Sequence, residues 1–243
     1  MQDPKYVKAA FSRIADRYVL TNHVLSLGTD ILWRKKVGRI VAGWQPESIL
    51  DVATGTGDLA LELQLACPDA RVTGSDFCEE MLAYAAEGGV CETIVADALT
   101  MPFEDDSYDV LTVAFGLRNM ADWPAALKEM RRVLKPGGIL INMELPPNDA
   151  LGAYDAFYLD WDGFYNNEPF YKEFRDLSYQ RLCTDTGFEA DDFFQATMPR
   201  FTYVSETEFA EAAIADASFD GDTGRLSDTI TWYAFGAQKA LAV

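Results

Sequence analysis

A run of small residues between two acids is the part of the chain best suited to chemistry. The segment Ile49-Leu50-Asp51-Val52-Ala53-Thr54-Gly55-Thr56-Gly57-Asp58 passes from apolar residues to an acid and then to two glycines spaced by one residue. Apolar residues at helical spacing follow at 59–63. We therefore predict a strand, a tight turn and the start of a helix, a geometry that brings a nucleotide against backbone N–H groups.

The acids at both ends of this turn separate two classes of cofactor. A dinucleotide-binding loop has the pattern G-x-G-x-x-G and seats a pyrophosphate at the helix N-terminus. Here Asp51 and Asp58 flank the glycines, and a third glycine is missing. Because carboxylates repel a pyrophosphate and attract a cationic or zwitterionic ligand, the pattern favours S-adenosylmethionine, which carries a sulfonium and an ammonium group. A dinucleotide oxidoreductase is correspondingly disfavoured.

Two further predicted strands end in acids that suit the same cofactor. Asp76 ends the second strand, where a carboxylate can accept both ribose hydroxyls. Asp97 and Ala98 follow the third strand, and Asp97 suits the adenine amino group. Asp58 also has a structural interpretation, as an N-terminal cap or as a partner of the helix dipole. The predicted cofactor-binding residues are Asp51, Ala53, Thr54, Gly55, Gly57, Asp76, Phe77, Asp97, Ala98 and Phe115.

Three residues are candidates for the chemical step. Arg118 follows the fourth predicted strand, where a cation would stabilise a phenolate; the alternative is an arginine that bridges loops. His23 is the one histidine of the chain and is either a general base or structural. Tyr18 faces the pocket or completes the apolar stripe of an N-terminal helix. No cysteine or histidine spacing indicates a metal site.

Acceptor-binding candidates follow the fourth and fifth strands. Asn119 either orients a substrate or caps the next helical turn, and Glu144 is either a base or substrate contact, or a loop hydrogen-bond partner. Beyond Glu144 an aromatic stripe is spaced as on a helix and comprises Tyr154, Phe157, Tyr158, Trp161 and Tyr165. Such a stripe packs against a core or covers an apolar or aromatic substrate, and we predict a mixture of the two.

The elements that must position these residues alternate between strands and helices. Predicted strands lie near Ser48–Val52, Arg71–Ser75, Thr93–Ala96, Tyr108–Phe115 and Ile139–Leu145. Predicted helices lie near Asp58–Ala66, Cys78–Glu87 and Trp123–Leu134, the last ended by Lys135-Pro136-Gly137-Gly138. This order predicts an α/β fold with a parallel sheet that binds its ligand at the carboxyl ends of the strands.

Both ends of the chain add to this core. The N-terminal zone predicts two helices, the second near Ile31–Val41 with Leu32, Trp33, Val37, Ile40 and Val41 as its apolar set. The C-terminal zone predicts a helix closed by Thr184–Gly187, strands at Phe188–Met198 and Thr231–Gln238, and a long acidic connection over Pro199–Asp228. We interpret residues 1–243 as one domain, with a helical cap (1–44), a cofactor core (45–145), and a lid with the last two strands (146–243).

Composition limits the partners. The net charge is −19, which argues against a nucleic-acid substrate, and no apolar run is long enough for a membrane span. The N-terminus lacks the pattern of a secretory signal, and four scattered cysteines are typical of a reducing compartment. We therefore expect a cytoplasmic enzyme with a small-molecule acceptor and no stable membrane insertion. The sequence leaves a homodimer open.

The run from about Phe11 to Glu144 resembles the demethylmenaquinone/ubiquinone C-methyltransferase family of class I methyltransferases. The segments that carry the resemblance are 16–18, 26–28, 32–34, 51–59, 96–99, Ala114-Phe115-Gly116-Leu117-Arg118-Asn119 and Arg132-Val133-Leu134-Lys135-Pro136-Gly137-Gly138. The resemblance implies a Rossmann-like open sheet of seven strands with the last antiparallel. It also implies methyl transfer from S-adenosylmethionine, with Gly55, Asp76 and the Asp97-Ala98 pair in contact with it and S-adenosylhomocysteine as product.

The resemblance is weaker where an acceptor would bind. Val19 and Asp30 replace an aspartate and a histidine that are usual in the family, and the sequence beyond about residue 156 does not match its pattern. Three functions stay open: C-methylation of a quinol-like ring, O- or N-methylation of a specialised metabolite, and S-adenosylmethionine binding without methyl transfer or with another reaction.

Overall fold

A computed structural model describes residues 29–144, 178–188, 194–196, 200–203, 218–220, 225–228 and 233–239. The helices are α1 (Thr29–Gly43), α2 (Asp58–Ala66), α3 (Glu79–Glu87), α4 (Trp123–Val133) and α5 (Tyr179–Asp185), with a 3₁₀ turn at Leu117–Asn119. The strands are β1 (Ser48–Val52), β2 (Arg71–Asp76), β3 (Glu92–Val95), β4 (Tyr108–Ala114), β5 (Leu134–Glu144), β6 (Phe194–Ala196), β7 (Arg200–Tyr203), β8 (Ser218–Asp220), β9 (Arg225–Asp228) and β10 (Tyr233–Gln238).

The main sheet has the strand order β3-β2-β1-β4-β5-β10-β6. The first five strands are parallel to one another, and β10 runs antiparallel to both β5 and β6. The predicted parallel α/β core is therefore confirmed. The chain order reverses between β1 and β4, and open α/β sheets bind ligands at such a reversal, beyond the carboxyl ends of the strands.

Most element boundaries agree closely with the sequence predictions. β1 and α2 begin and end where the sequence placed them, and α4 ends at Val133, just before the predicted stop. β5 differs, because it starts at Leu134 rather than at Ile139. The residues of the predicted turn are instead part of β5, and the pairing of β5 with β4 shifts its register there, between Tyr108 and Val110 of β4. Gly137 has a φ of 78°, and its amide donates to the Lys239 carbonyl.

The predicted acidic connection over Pro199–Asp228 is wrong in part. Within it, β7, β8 and β9 form a separate three-stranded antiparallel sheet in the order β7-β9-β8. These strands have three or four residues each, too few for a clear alternating pattern against the surrounding acids. Of the predicted strand Phe188–Met198, the structure describes Phe188, which forms an isolated bridge with Lys239, and Phe194–Ala196, which form β6.

Two apolar clusters cover the faces of the sheet. On one face, α4 and α5 pack over the sheet with Leu111, Leu127, Met130, Leu140, Tyr179 and Cys183. On the other face, α1, α2 and α3 contribute Trp33, Val37, Val41, Leu59, Leu63 and Ala85. One member of the predicted apolar set of α1 is misassigned, since Leu32 is 62% exposed. Among residues 31–43 of α1, whose burial is described, Trp33 is the first buried side chain.

None of the described helices is long and apolar enough to cross a membrane. The described residues also contain no group of three or more His, Cys, Asp or Glu side chains placed to hold a metal ion.

Candidate functional site

A cavity opens at the carboxyl ends of β1, β2, β3 and β4. Its empty volume is about 850 Å³, part of which is open to solvent. Seven of the ten predicted cofactor-binding residues line it, namely Ala53, Gly55, Asp76, Phe77, Asp97, Ala98 and Phe115. The described lining includes two acids and no lysine or arginine. The turn after β1 and the acids after β2 and β3 thus meet around one space, as their positions at parallel strand ends require.

The turn after β1 is tightly folded and packs closely on its neighbours. Ala53, Gly55 and Gly57 all have positive φ values of 53°, 57° and 82°. A Cβ at Gly57 would lie 2.6 Å from Cγ2 of Val90, so glycine is required there for packing as well as for conformation. Gly57 is also the N-cap of α2. Of the two structural interpretations of Asp58, the cap is therefore wrong, whereas the position of a helix-dipole partner is confirmed, since Asp58 stands in the first turn of α2. Its carboxylate accepts a hydrogen bond from the Thr56 hydroxyl at 2.7 Å.

Asp76 joins the turn to the end of β2. Its Oδ2 accepts from the Gly55 amide and its Oδ1 from the Cys78 amide, both at 2.9 Å. Burial raises the pKa of this carboxyl, while the backbone hydrogen bonds act in the opposite direction. The carboxylate is thus fixed in orientation and largely stripped of water, although it still lines the cavity. Such a group is a strong acceptor for hydroxyl donors of a ligand.

Asp51 lies beneath the turn rather than in the cavity lining. It is 1% exposed, and its two oxygens accept from the hydroxyls of Thr54 and Thr112, both at 2.6 Å. Burial raises its pKa to about 6, against the lowering effect of the two threonine hydroxyls. Asp51 and Thr54 therefore connect the turn to β4, and the negative charge of the ionised Asp51 acts on the cavity from below.

The wall formed by α3 and the loop after β3 is mostly apolar. Phe77, Met81, Ala98 and Leu99 contribute apolar surface, which suits a flat aromatic ring. Asp97 stands at the same wall, with Oδ1 accepting from the Leu99 amide at 2.9 Å. One carboxylate thus remains beside an otherwise apolar surface.

An ion pair lies at the adjoining edge of the site. Arg118 Nη1 is 2.7 Å from Glu144 Oε1, and the two side chains are 15% and 0% exposed. The Arg118 guanidinium also lies over the ring of Phe115, 5.5 Å from the ring centre. Phe115 itself lines the cavity. Among the alternatives for Glu144, the structure therefore shows the loop hydrogen-bond partner, because its carboxylate is paired with Arg118 in the turn after β4.

Asn119 lines the cavity beside this pair. Its side-chain amide donates to the Phe115 carbonyl at 3.2 Å. The alternative that Asn119 caps the next helix is wrong, because Asp122 caps α4 by accepting from the Ala125 amide at 2.9 Å. Asn119 instead closes the 3₁₀ turn that carries Arg118.

Two features of the site were missed from the sequence. A Cβ at Gly116 would lie 2.6 Å from the Ala53 Cβ, so this glycine lets the turn after β4 approach the turn after β1. Trp33 contacts Phe115, with ring centres 6.2 Å apart and planes at 55°. The segments 32–34 and 115–119 carried the family resemblance, but spacing alone gives no signal that they meet. The predicted residues Tyr18, His23, Tyr154, Tyr158, Trp161 and Tyr165 lie outside the described part of the chain.

These residues fit S-adenosylmethionine. An oriented, desolvated carboxylate at Asp76 suits a ribose diol, and an apolar wall with Asp97 suits adenine. The acids around the glycine turn suit the positive charges of the sulfonium and ammonium groups, and no cation among the described lining residues would favour a pyrophosphate.

Comparison with known sequences identifies related proteins. The sequence model of the ubiE/COQ5 methyltransferase family matches residues 1–164. A demethylmenaquinone methyltransferase of Thermus thermophilus is 47% identical over 153 residues, which cover 61% of this chain and 69% of that protein. A demethylmenaquinone methyltransferase of Deinococcus radiodurans is 43% identical over 157 residues (63% and 65%). The ubiquinone/menaquinone biosynthesis C-methyltransferase of Bdellovibrio bacteriovorus is 42% identical over 163 residues (64% and 69%). The chain thus matches about two thirds of their lengths.

Solved structures agree on the fold. A possible histamine N-methyltransferase of Thermotoga maritima superposes with a TM-score of 0.64 at 19% identity, over 96% of this chain and 99% of that chain. Phosphoethanolamine N-methyltransferase 2 of Haemonchus contortus, in complex with S-adenosyl-L-methionine, gives a TM-score of 0.51 at 17% identity, over 80% and 49%. At these identities the similarity establishes the class I methyltransferase fold alone.

Proposed function

The chain belongs to the ubiE/COQ5 methyltransferase family and is an S-adenosylmethionine-dependent methyltransferase, and we propose that it methylates a ring carbon of a small quinol-like molecule. The observation that carries this proposal is the Arg118–Glu144 pair beside Phe115 of the cavity wall. A guanidinium held at that edge suits an acceptor whose ring oxygen becomes negatively charged. The names of the related enzymes support a quinone precursor as the acceptor.

In this proposal the cofactor is held by the turn after β1 and by the two acids that line the cavity. Asp76 accepts the ribose hydroxyls, and Asp97 accepts the adenine amino group. Phe77 and Ala98 pack against the adenine, while the glycine turn at Ala53 and Gly55 gives close approach to the amino-acid end. Asp51, Thr54 and Gly57 support this turn from behind. S-Adenosylhomocysteine leaves as the product.

The bound cofactor supplies an electrophilic methyl group, so the chain must position the acceptor and raise its nucleophilicity. A ring carbon of a quinol becomes nucleophilic when the neighbouring hydroxyl loses its proton. In the proposal, Arg118 donates hydrogen bonds to that oxygen and stabilises the phenolate, while Glu144 holds the guanidinium in place. His23 is the candidate for accepting that proton, and Tyr18 is a candidate to hydrogen-bond the ring oxygen. After the methyl group has moved from sulfur to carbon, the methylated carbon loses its own proton to water, which restores the aromatic ring, and the ring oxygen is protonated again.

The acceptor is enclosed by residues on both sides of the Arg118–Glu144 pair. Asn119 contacts it from the 3₁₀ turn, where it already lines the cavity. Tyr154, Tyr158, Trp161 and Tyr165 follow β5 in sequence and provide aromatic surface over the ring. This arrangement suits a planar, mostly apolar acceptor, whereas a nucleic acid is disfavoured by the net charge of −19.

The test uses a demethylmenaquinone with a short side chain, reduced to the quinol, together with S-adenosylmethionine carrying a ¹³C-labelled methyl group. We expect label on a ring carbon, detected by NMR of the product, and an equal amount of S-adenosylhomocysteine. The oxidised quinone should give no product, because its ring carbons are not nucleophilic. Label on oxygen would favour the alternative of an O-methyltransferase. No transfer to the reduced quinol by a preparation that binds S-adenosylmethionine would reject the acceptor class.

A pair of arginine variants tests the role of the guanidinium. We expect Arg118→Met to lose nearly all turnover while still binding S-adenosylmethionine. Arg181→Met is the matched control, since the Arg181 side chain is 81% exposed and pairs with Asp185 on α5. Equal turnover of the two variants would exclude Arg118 from the chemical step.

A further inference from the structure

Phe115 connects the cavity to residues that do not line it. Its backbone is in the left-handed region at φ 56°, a conformation that is strained for a residue with a side chain. The conformation is stabilised by the Phe115 amide bonded to the Met143 carbonyl at 2.8 Å and by the Asn119 amide on the Phe115 carbonyl. Both the N–H and the carbonyl of Phe115 are thus held by hydrogen bonds. The orientation of its ring is set by the side chains that pack against it.

The ring of Phe115 has a cation on one side and an indole on another. The Arg118 guanidinium carbon lies 5.5 Å from the ring centre, within the range of a cation–π contact. The Trp33 ring centre lies 6.2 Å away at a tilt of 55°, within the range of favourable aromatic pairs. The contacts therefore run in series from the Trp33 ring to the Phe115 ring, then to the Arg118 guanidinium, and from there to the Glu144 carboxylate.

Trp33 is held in place by the packing of α1. Trp33, Val37 and Val41 are buried at one-turn and two-turn spacing on one side of this helix. Gly38 faces α2 so closely that a Cβ there would lie 3.1 Å from the Ala66 Cβ. The helix is thus seated on α2, and its indole is a fixed support against which the Phe115 ring rests.

Two contacts of the Arg118 guanidinium constrain it in different ways. The Glu144 carboxylate fixes one nitrogen through an ion pair of 2.7 Å. The Phe115 ring, 5.5 Å from the guanidinium carbon, packs against the group and restricts its rotation about the ion pair. Since the Trp33 indole packs against the same ring, the support extends from α1 to the cation.

We propose that Trp33 is a positioning residue, which acts through the Phe115 ring to hold the Arg118 guanidinium in the orientation that methyl transfer requires. The inference rests on the proposed role of Arg118. Replacing the indole with a smaller aliphatic side chain leaves space behind the Phe115 ring, so the ring turns away and the guanidinium rotates about its bond to Glu144. A phenylalanine at position 33 keeps an aromatic contact and preserves most of the effect.

The first experiment measures the guanidinium directly and needs no acceptor. Phenylglyoxal modifies accessible arginines, and mass spectrometry reports the rate at Arg118 in the wild type, Trp33→Leu and Trp33→Phe. The control is Val41→Ala, which truncates a buried side chain of the same helix two turns away. We expect the rate at Arg118 to rise about tenfold in Trp33→Leu, because labelling follows the population of open arrangements. It should stay near the wild-type value in Trp33→Phe and Val41→Ala.

A second experiment separates positioning from cofactor binding. With the reduced demethylmenaquinone as acceptor, we expect Trp33→Leu to lower kcat about tenfold, as small misplacements of catalytic groups do, while calorimetry gives a Kd for S-adenosylmethionine within about threefold of wild type. Each variant is first shown to be folded by its thermal transition. Trp33→Phe should recover most of kcat, whereas a purely structural Trp33 would lower stability without a selective loss of kcat.

The outcomes distinguish this inference from the proposed function. If the wild type methylates the quinol and Trp33→Leu keeps full kcat, the inference is wrong and the function stands. If the wild type methylates no quinol, the acceptor proposal is wrong, and the labelling rates still decide the inference. An unchanged rate at Arg118 in Trp33→Leu, or an equal rise in Val41→Ala, would overturn it.

Discussion

The guanidinium of Arg118 and the carboxylate of Glu144 form an ion pair at 2.7 Å, with the Glu144 side chain fully buried. Arg118 lies in the turn after β4, and Glu144 is the last residue of β5. The pair thus joins the carboxyl ends of two neighbouring parallel strands. A second pair, Arg181 with Asp185 on α5, is 3.4 Å long and mostly exposed, so the chain offers its own comparison between buried and surface ion pairs.

We predict that Glu144→Ala lowers the free energy of unfolding by about 3 kcal/mol, because it leaves the largely buried Arg118 charge without this carboxylate. Asp185→Ala should change it by less than about 0.5 kcal/mol, since its partner is solvated. Glu144→Gln keeps an oxygen acceptor and should fall between the two. Urea denaturation measures all three. Similar losses of unfolding free energy in Glu144→Ala and Asp185→Ala would show that burial does not increase the contribution of the Arg118–Glu144 pair to stability.

A second prediction concerns Asp76, the proposed acceptor for the ribose hydroxyls. Asp76→Asn keeps the volume of the side chain but removes its charge and one acceptor. Because hydrogen bonds to a charged group contribute about 1.5–3 kcal/mol each, we expect the Kd for S-adenosylmethionine to rise about 100-fold. Titration calorimetry measures it. In the control Asp58→Asn, which changes an acid bonded to Thr56, the Kd should rise only a few fold.

The pH dependence of stability provides a third prediction. Burial raises the pKa of Asp51 in the folded chain from 3.8 to about 6, so the folded state binds this proton more tightly than the unfolded state does. The contribution of Asp51 to stability is therefore complete below about pH 4 and is lost as the pH rises through 6. At 1.36 kcal/mol per pH unit, the loss is about 3 kcal/mol. Unfolding of wild type and Asp51→Asn between pH 4 and 7 measures it.

Asp109 is the control of opposite sign. Burial acts to raise its pKa, but the hydrogen bonds from Lys135 and Ser48 outweigh this and lower it in the folded chain. Its contribution is present above the pKa of the unfolded state and is lost as the pH falls through the folded value. Compared with Asp109→Asn, the wild type should therefore lose stability as the pH falls. Compared with Asp51→Asn, it should lose stability as the pH rises. Parallel curves for the two variants would contradict the Asp51 assignment.

A fourth prediction uses two buried polar residues on neighbouring strands. Asn142 on β5 is 0% exposed, and neither its side-chain nitrogen nor its oxygen has a hydrogen-bond partner among the residues that the structure describes. Thr112 on β4 is equally buried, but its hydroxyl donates to Asp51 at 2.6 Å. We expect Asn142→Val to raise the free energy of unfolding by about 1–3 kcal/mol and Thr112→Val to lower it by about as much. Thermal and urea unfolding measure both. A loss of stability in Asn142→Val would indicate that the amide binds water or a ligand.

Much of the fold could be predicted because its signals are local. β1 and α2 were placed to the residue, since an apolar run, two glycines and helical spacing all lie within residues 48–66. The errors fall where a local pattern has two solutions. Asp58 and Asn119 both suit a helix cap by residue type, yet Gly57 and Asp122 occupy those positions. Leu32 fits the apolar period of α1 but lies on its exposed side.

The sequence by itself determined the alternating α/β order, the acids at the strand ends and the class of cofactor, because backbone preferences and the burial period act over a few residues. The tertiary structure alone decided which distant side chains meet. Arg118 contacts Glu144 although the two are 26 positions apart in the sequence, and Thr112 contacts Asp51 at a separation of 61 positions. Trp33 reaches Phe115 from another helix. These contacts depend on which strand ends adjoin in the sheet and how each side chain packs there, and neither is encoded within one segment.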